Sequence, residues 1–114
     1  MTSPLVPKPG DVVLVEFGFL DHTGSKLRPA VVLSQRTYNE RWLRFIFAPI
    51  TGSSGSVEGA IQIQDLPEAG LDYRSYCHGI IFTAENKEIT RIIGQLSARD
   101  RHSLRTFIHG ILAI

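Results

Sequence analysis

Six segments of the chain are rich in valine, isoleucine and phenylalanine, and several of them alternate apolar with polar side chains. Alternation with a period of two places the apolar residues on one face of a β-strand. Val13 and Val15 illustrate it, because they share one face while Glu16 lies on the other. The predicted strands span residues 11–19, 27–34, 42–50, 60–64, 77–83 and 88–94.

Polar segments with glycine, serine, asparagine or proline separate these strands. Such residues favour turns because they tolerate unusual backbone angles or bond to their own backbone. The segment TGSSGSVEG is the most flexible in composition. The predicted connections are a loop at residues 20–26, a turn at 37–40, a loop at 51–59, a loop at 65–74 and a turn at 85–87.

The period of the pattern changes near the end of the chain. Ser97 and Asp100 have the spacing of a helix capping box, with aspartate in place of the commoner glutamate. Leu104, Ile108 and Leu112 then recur at helical spacing, and Ile111 falls on the same face. We therefore predict a C-terminal helix that packs this apolar face on the strands.

Several short strands followed by one helix are typical of a small β-barrel closed by a helix. The predicted fold class is therefore mainly β with α. The chain has 114 residues, which suits one domain, and we predict a single domain over residues 1–114.

Composition narrows the function classes. The formal net charge is +1, whereas non-specific duplex binders are usually more basic, so any nucleic-acid contact should come from a local patch. Cys77 is the only cysteine, which favours a reduced, intracellular protein without disulfides. The sequence has no apolar run of membrane-spanning length and no apolar core near its start, so we expect a cytoplasmic protein without a signal peptide.

Several catalytic signatures are missing from the sequence. It has no G-x-S-x-G segment, no P-loop and no glycine-rich dinucleotide motif. Cys77 and His78 would point to opposite sides of a strand, and no other spacing supports a zinc site. We therefore expect neither a metal nor another cofactor.

Arg28 is the most informative charged residue, because Pro29 follows it directly. Proline restricts the backbone of the preceding residue to extended conformations, which lowers the cost of aiming the arginine side chain. Ala30 is small and would share the strand face of Arg28, so we expect open space beside the arginine. A guanidinium held in this way suits bidentate capture of a phosphate or carboxylate. The alternatives are an ordinary ion pair with Glu16 or Glu58, or a solvated strand end.

Two further residues are candidates for chemistry. Thr51 ends the third predicted strand, where its hydroxyl could donate to a phosphate oxygen, although turn threonines more often bond their own backbone. His22 lies in the first loop. Histidine is the side chain best matched to proton transfer near neutral pH, yet most loop histidines are only solvated.

The order of these segments resembles the MazF/PemK family of toxin–antitoxin endoribonucleases. The match is carried by PGDVVLVEF at residues 9–17, GSKLRPAVVLS at 24–34, the strand ending API-T at 48–51 and IIGQLS at 92–97. These segments occur in family order and span nearly the whole chain. The resemblance implies an SH3-like β-barrel with a C-terminal helix, a homodimer, and metal-independent cleavage of single-stranded mRNA that a cognate antitoxin protein inhibits.

The resemblance also assigns roles to residues. Arg28 matches the active-site arginine before proline, and Thr51 matches the threonine at the end of the third strand. His22 is the residue that we would test as the proton acceptor. Many members carry an arginine before the threonine of the penultimate strand, where this chain has Phe82. The candidate RNA contacts are Phe19, Ser25, Lys26, Gln35 and Ser53.

Two other functions remain open at this point. The chain could be a non-catalytic SH3-like module that binds RNA or a peptide without cutting it. It could also be a structural subunit in which Arg28 forms an internal ion pair. Ribonuclease activity in the presence of EDTA separates these alternatives from the toxin.

Overall fold

Antiparallel strands make up most of the computed structural model, which describes residues 6–16, 27–52 and 60–114. Within these ranges there are seven strands, three α-helices and one 3₁₀ turn. In chain order they are β1 (Asp11–Glu16), β2 (Leu27–Val32), α1 (Arg36–Trp42), β3 (Arg44–Thr51), β4 (Ala60–Gln62), α2 (Leu66–Ala69), β5 (Tyr76–His78), β6 (Phe82–Glu85), the 3₁₀ turn (Asn86–Glu88), β7 (Ile89–Gln95) and α3 (Ala98–His109).

Strand β3 is the centre of the sheet. It pairs with β2 along one edge and with both β6 and β5 along the other. The strand order is β4-β5-β3-β2-β1-β7, and β6 lies beside the first half of β3. Among the described strands no ladder joins β4 to β7. The mainly β fold with helices is confirmed, whereas closure into a barrel stays a prediction.

Alternation along the strands divides the buried side chains between two hydrophobic clusters. One cluster includes Val12, Val31 and Ala48, and it receives Leu104 and Ile108 from α3. The other cluster is formed by the alternate residues of the same strands: Val13, Val15, Ala30, Val32, Phe45, Phe47, Ala84 and Ile89. Because both sheet faces are buried, the central strands are apolar on both sides.

The predicted turn at residues 37–40 is wrong, because these residues belong to helix α1. The side chain of Asn39 is fully buried and donates to the carbonyl oxygens of Pro7 and Ser34, each at 3.1 Å. The local sequence around Asn39 therefore favours a turn, but its buried side chain makes hydrogen bonds to other parts of the chain. Arg36 and Glu40 form an ion pair at the i, i+4 spacing of a helix, a signal that the sequence did contain.

The predicted strand at residues 77–83 is two strands. Gly79 interrupts it, and the amide of Ile81 donates to the carbonyl of Gly79 at 3.0 Å, which forms a tight turn. Strand β5 therefore pairs with the end of β3 and β6 with its beginning. A Cβ at Gly79 would lie 2.5 Å from Cδ1 of Ile111, so a side chain at this break would require the exposed end of Ile111 to move.

The predicted loop at residues 65–74 contains the short helix α2. Gly70 ends this helix with a left-handed φ of 72°. A Cβ at this position would lie 2.0 Å from the carbonyl oxygen of Ile93. Glycine is therefore required both by the backbone angle and by the contact with β7.

The predicted C-terminal helix is confirmed at residues 98–109, and Ser97 caps it by accepting from the amide of Asp100 at 3.2 Å. The second half of the capping box is wrong. The carboxylate of Asp100 instead accepts from the amides of Gln64 and Asp65, both at 2.9 Å. Ile111 and Leu112 lie beyond the helix and are exposed rather than packed on the predicted face.

Candidate active site

A groove of about 490 Å³ lies where β2 begins and β3 ends. Its walls come from three parts of the chain that are distant in sequence: the start of β2, the end of β3 and the segment before β5. The lining residues are Leu27, Arg28, Pro29, Ile50, Thr51, Gly52, Leu71, Asp72, Tyr73 and Ser75.

Strand register brings Arg28 and Thr51 together in this groove. Residues Ala30 and Pro49 are partners in the ladder between β2 and β3, and each step along β2 moves one step back along β3. The same register continued by two residues places Arg28 opposite Thr51. The ladder stops at the Ala30–Pro49 pair, where proline has no amide hydrogen to donate. The two candidate residues therefore lie at neighbouring strand ends that line the same groove.

Arg28 lies at an exposed strand end, an environment that suits a binding residue and a solvated arginine alike. Its side chain is exposed, and its backbone pairs with Val15 of β1. Glu16 is exposed and is one of the residues that the structure describes, but it forms no ion pair with Arg28. The other candidate partner, Glu58, lies outside the described residues. Of the two predicted ion pairs, the one with Glu16 is therefore wrong.

The space that we expected beside Arg28 is filled. Ala30 is completely buried in the cluster that contains Val13 and Val32. Its small side chain therefore accommodates the core and leaves no open volume on that strand face. Arg28 lies two residues further toward the strand end, where the same face reaches solvent.

Thr51 is half-buried and belongs to the edge of β3 that faces β5, where its backbone partner is Tyr76. Ile50 and Cys77 are the preceding pair in this ladder. Burial, followed by the charge of Asp100, raises the pKa of the Cys77 thiol to about 12. At neutral pH the thiol is therefore protonated, and Cys77 supports the groove without acting as a nucleophile.

The other sequence-predicted contacts are not all in this groove. Gln35 is exposed at the start of α1 and lines a separate cavity of about 350 Å³ between β2 and α3, together with Arg101 and His109. Gln35 therefore lies outside the groove that contains Arg28, and its role as an RNA contact stays a prediction. The remaining predicted site residues lie outside the described residues: Phe19, His22, Ser25, Lys26 and Ser53.

Sequence reasoning missed Asp72 and Tyr73, which line the groove opposite Arg28. Both are exposed, and the exposed fraction of Tyr73 is 80%. Their proximity to Thr51 depends on the pairing of β5 with β3. This pairing could not be read from the sequence, because residues 77–83 look like one continuous strand.

The donor atoms for a metal site are scattered. Within residues 6–16, 27–52 and 60–114, no group of three histidine, cysteine, aspartate or glutamate side chains is placed to hold a metal ion. The same ranges contain no helix that is both long and apolar enough to cross a membrane.

Comparison with known families decides the classification. Residues 8–112 match the model of the family described as the PemK-like, MazF-like toxin of type II toxin–antitoxin systems. The chain belongs to this family. The match covers both Arg28 and Thr51 and extends from before β1 to beyond α3. The family resemblance predicted from the sequence is therefore confirmed.

Solved structures show the same MazF-like fold at low sequence identity. MazF from Deinococcus radiodurans has a TM-score of 0.78 and 18% identity, over 96% of this chain and 99% of that chain. An endoribonuclease in complex with its cognate antitoxin, from a mycobacterial species, has a TM-score of 0.75 and 15% identity, over 96% and 95%. The toxin MazF-mt6 of Mycobacterium tuberculosis has 0.71 and 19%, over 88% and 93%. A sequence comparison with curated proteins gave no match.

Proposed function

We propose that this MazF-like toxin cleaves single-stranded mRNA at the groove that contains Arg28 and Thr51, without a metal ion. Membership of the toxin family supports the proposal. The observation that carries it is the position of Arg28, an exposed guanidinium without an ion pair to a described residue, which lines the same groove as Thr51 at the neighbouring strand end.

The proposed reaction is an internal transesterification. The ribose 2′-oxygen attacks the adjacent phosphorus and loses its proton, while the bond from phosphorus to the 5′-oxygen breaks and that oxygen takes up a proton. The products are a 2′,3′-cyclic phosphate and a 5′-hydroxyl, and water can open the cyclic phosphate to a 3′-phosphate. Negative charge increases on the two non-bridging oxygens during the attack, so a fixed hydrogen-bond donor beside them lowers the barrier.

Arg28 is our proposed donor to those oxygens. Its planar guanidinium presents paired N–H groups that match two phosphate oxygens, which a lysine ammonium cannot do. Thr51, at the end of the neighbouring strand, is the proposed second contact to the phosphate. Removing one such donor typically costs about 10²–10³ in rate.

Arg28 cannot also accept the proton of the 2′-hydroxyl, because arginine stays protonated at neutral pH. We propose His22 for this role, since an imidazole can accept a proton near neutral pH. His22 lies outside the described residues, so the sequence alone supports this part of the proposal.

Phe82 occupies the position at which many family members carry an arginine. Its ring stacks on Phe47 with the centroids 5.1 Å apart, and it packs against the second hydrophobic cluster. This position therefore contributes packing instead of a cation. In our proposal Arg28 therefore contributes a larger share of the phosphate binding than the matching arginine does in a relative that also has an arginine at the position of Phe82.

The wider proposal follows from the family. We propose a cytoplasmic homodimer of one domain per chain, with an SH3-like barrel closed by the C-terminal helix, which a cognate antitoxin protein inhibits. The solved complexes of a mycobacterial endoribonuclease and of MazE–MazF from Deinococcus radiodurans, each with an antitoxin, support that partner. Phe19, Ser25, Lys26, Gln35 and Ser53 remain proposed RNA contacts.

The test is cleavage of a single-stranded RNA and of the same sequence as a duplex, both in excess EDTA. We expect the single strand to be cut, with a 5′-hydroxyl on one product, and the duplex to survive. Activity that disappears in EDTA and returns with magnesium would contradict the mechanism. RNA binding without cleavage would instead support a non-catalytic binding module, the function that Phe82 favours.

A further inference from the structure

Two of the three parts of the chain that line the groove differ in charge and in shape, and they flank the end of β3 on opposite sides. Arg28 lies on the wall formed by the start of β2. Asp72 and Tyr73 lie on the wall formed by the segment before β5, and neither is in an ion pair with another described residue. A nucleotide has the same asymmetry, because it carries an anionic phosphate on one side and a flat, uncharged base on the other.

The polarity of the groove fixes the direction in which a nucleotide can lie. Phosphate oxygens are attracted to Arg28 and repelled by the carboxylate of Asp72. The base must then face the wall that contains Asp72 and Tyr73. Arg74 is exposed next to Tyr73, but it is not among the residues that line the groove.

The backbone of Tyr73 is held in place although its ring is exposed. The buried hydroxyl of Ser75 donates to the carbonyl of Tyr73 at 2.7 Å, and the carbonyl of Ser75 accepts from the amide of Ile63 at 2.9 Å. Three residues after Tyr73, Tyr76 pairs with Thr51. Three residues span at most about 11 Å, so the Cα of Tyr73 lies within about that distance of the Cα of Tyr76, the strand partner of Thr51.

We propose that Tyr73 stacks on a base of the RNA and that Asp72 accepts a hydrogen bond from an exocyclic amino group of that base. This inference rests on the proposed RNA cleavage. Aromatic side chains stack on unpaired bases in proteins that recognise single-stranded RNA, and hydrogen bonds to the base edge then select the base. A carboxylate only accepts hydrogen bonds, so it pairs with the exocyclic amino groups of cytosine, adenine or guanine. It disfavours uracil, whose exocyclic groups are both carbonyl oxygens and whose ring N3–H is its only base-edge donor.

The test compares the wild type with four variants on a randomised pool of single-stranded RNA, with the new ends sequenced and kcat/KM measured on one preferred substrate. Tyr73→Ala should lower kcat/KM by about 5- to 100-fold, the effect of losing one stacked base. Tyr73→Phe keeps the ring and should therefore lose much less of kcat/KM than Tyr73→Ala. Asp72→Asn can donate to a base carbonyl, so it should admit uracil at one position of the cleaved sequence.

Tyr38→Ala is the matched control, because Tyr38 is also exposed but lies on α1, outside the groove. Its cleavage profile should equal that of the wild type. The stacking role alone would be overturned if Tyr73→Ala cleaved at the wild-type kcat/KM. It would also be overturned if Tyr73→Ala and Tyr73→Phe lowered kcat/KM equally. An unchanged base profile in Asp72→Asn would overturn the base selection. Failure of the wild type to cleave any RNA would overturn the proposed function as well.

Discussion

Two arginines on this small protein are in opposite situations. Arg99 forms a bidentate ion pair with Asp65, at 2.8 and 3.0 Å. Asp65 also accepts a hydrogen bond from Ser97, so the first turn of α3 is tied to the start of α2. Arg28 lies in the groove and forms no ion pair with another described residue. Both side chains are exposed and charged, yet only Arg99 forms an ion pair with another described residue.

The difference separates structural from functional charge. Asp65, Ser97, Arg99 and Asp100 form a junction between α2 and α3 in which these side chains meet each other or backbone amides. We call these four residues the junction. Groups that are already hydrogen-bonded within the chain gain little from binding a ligand. In the groove, by contrast, Arg28 can donate to a ligand, Asp72 can accept from it, and Tyr73 presents the face of its ring. The comparison predicts that junction variants change stability and that groove variants change activity.

The largest effect on stability should follow Asp100→Ala. The carboxylate of Asp100 is buried and accepts from the amides of Gln64 and Asp65, so its removal leaves two amides without this partner. We expect a loss of about 2–4 kcal/mol in the free energy of unfolding, measured by urea denaturation.

Asp72→Ala is the control for this comparison, since it removes a carboxylate from the groove instead. It should change the unfolding free energy by less than about 0.5 kcal/mol, as surface substitutions usually do. Equal losses in Asp100→Ala and Asp72→Ala would remove the distinction between the junction and the groove.

A smaller effect is expected on the acid side of the stability curve. Hydrogen bonds from Arg99, and then from Ser97, hold the pKa of Asp65 below its usual value. The folded state therefore binds this proton less tightly than the unfolded state does. The resulting stabilisation is present above the unfolded pKa of about 3.9 and is lost as the pH falls through the folded pKa.

Melting temperatures at decreasing pH test this assignment. Asp65→Asn should lose less stability on acidification below about pH 5 than the wild type, because its side chain does not titrate. Arg99→Gln should flatten the curve in the same way by removing the cation. An acid profile of Asp65→Asn identical to that of the wild type would show that the junction is not an electrostatic contact.

The sequence predicted the part of the site that depends on local patterns. The run after Pro29 identified β2, and the apolar segment before Thr51 identified β3. It could not predict what depends on distant pairing. Asp72 and Tyr73 line the groove only because β5 pairs with the end of β3. The boundary between β5 and β6, at Gly79, lies within a segment whose sequence resembles one continuous strand.

The errors in the fold have the same origin. Asn39 suggested a turn because asparagine favours turns locally. Its buried hydrogen bond to the carbonyl of Pro7, which is 32 positions away, instead supports a helix. Asp100 suggested a capping box, but its carboxylate bonds to the segment before α2. In both cases a polar side chain satisfies a distant backbone group, which no local pattern reveals.

Cleavage and thermal stability measured on the same Arg28→Lys protein test the central claim most directly. Lysine keeps the charge but loses the paired donors, so we expect cleavage in EDTA to fall by about 10²–10³ while the melting temperature stays within about 2 °C of the wild type. Arg99→Lys, the matched variant at the junction, should keep the wild-type cleavage rate. Unchanged cleavage by Arg28→Lys, or lost cleavage together with a collapsed melting temperature, would contradict a role for Arg28 at the reacting phosphate.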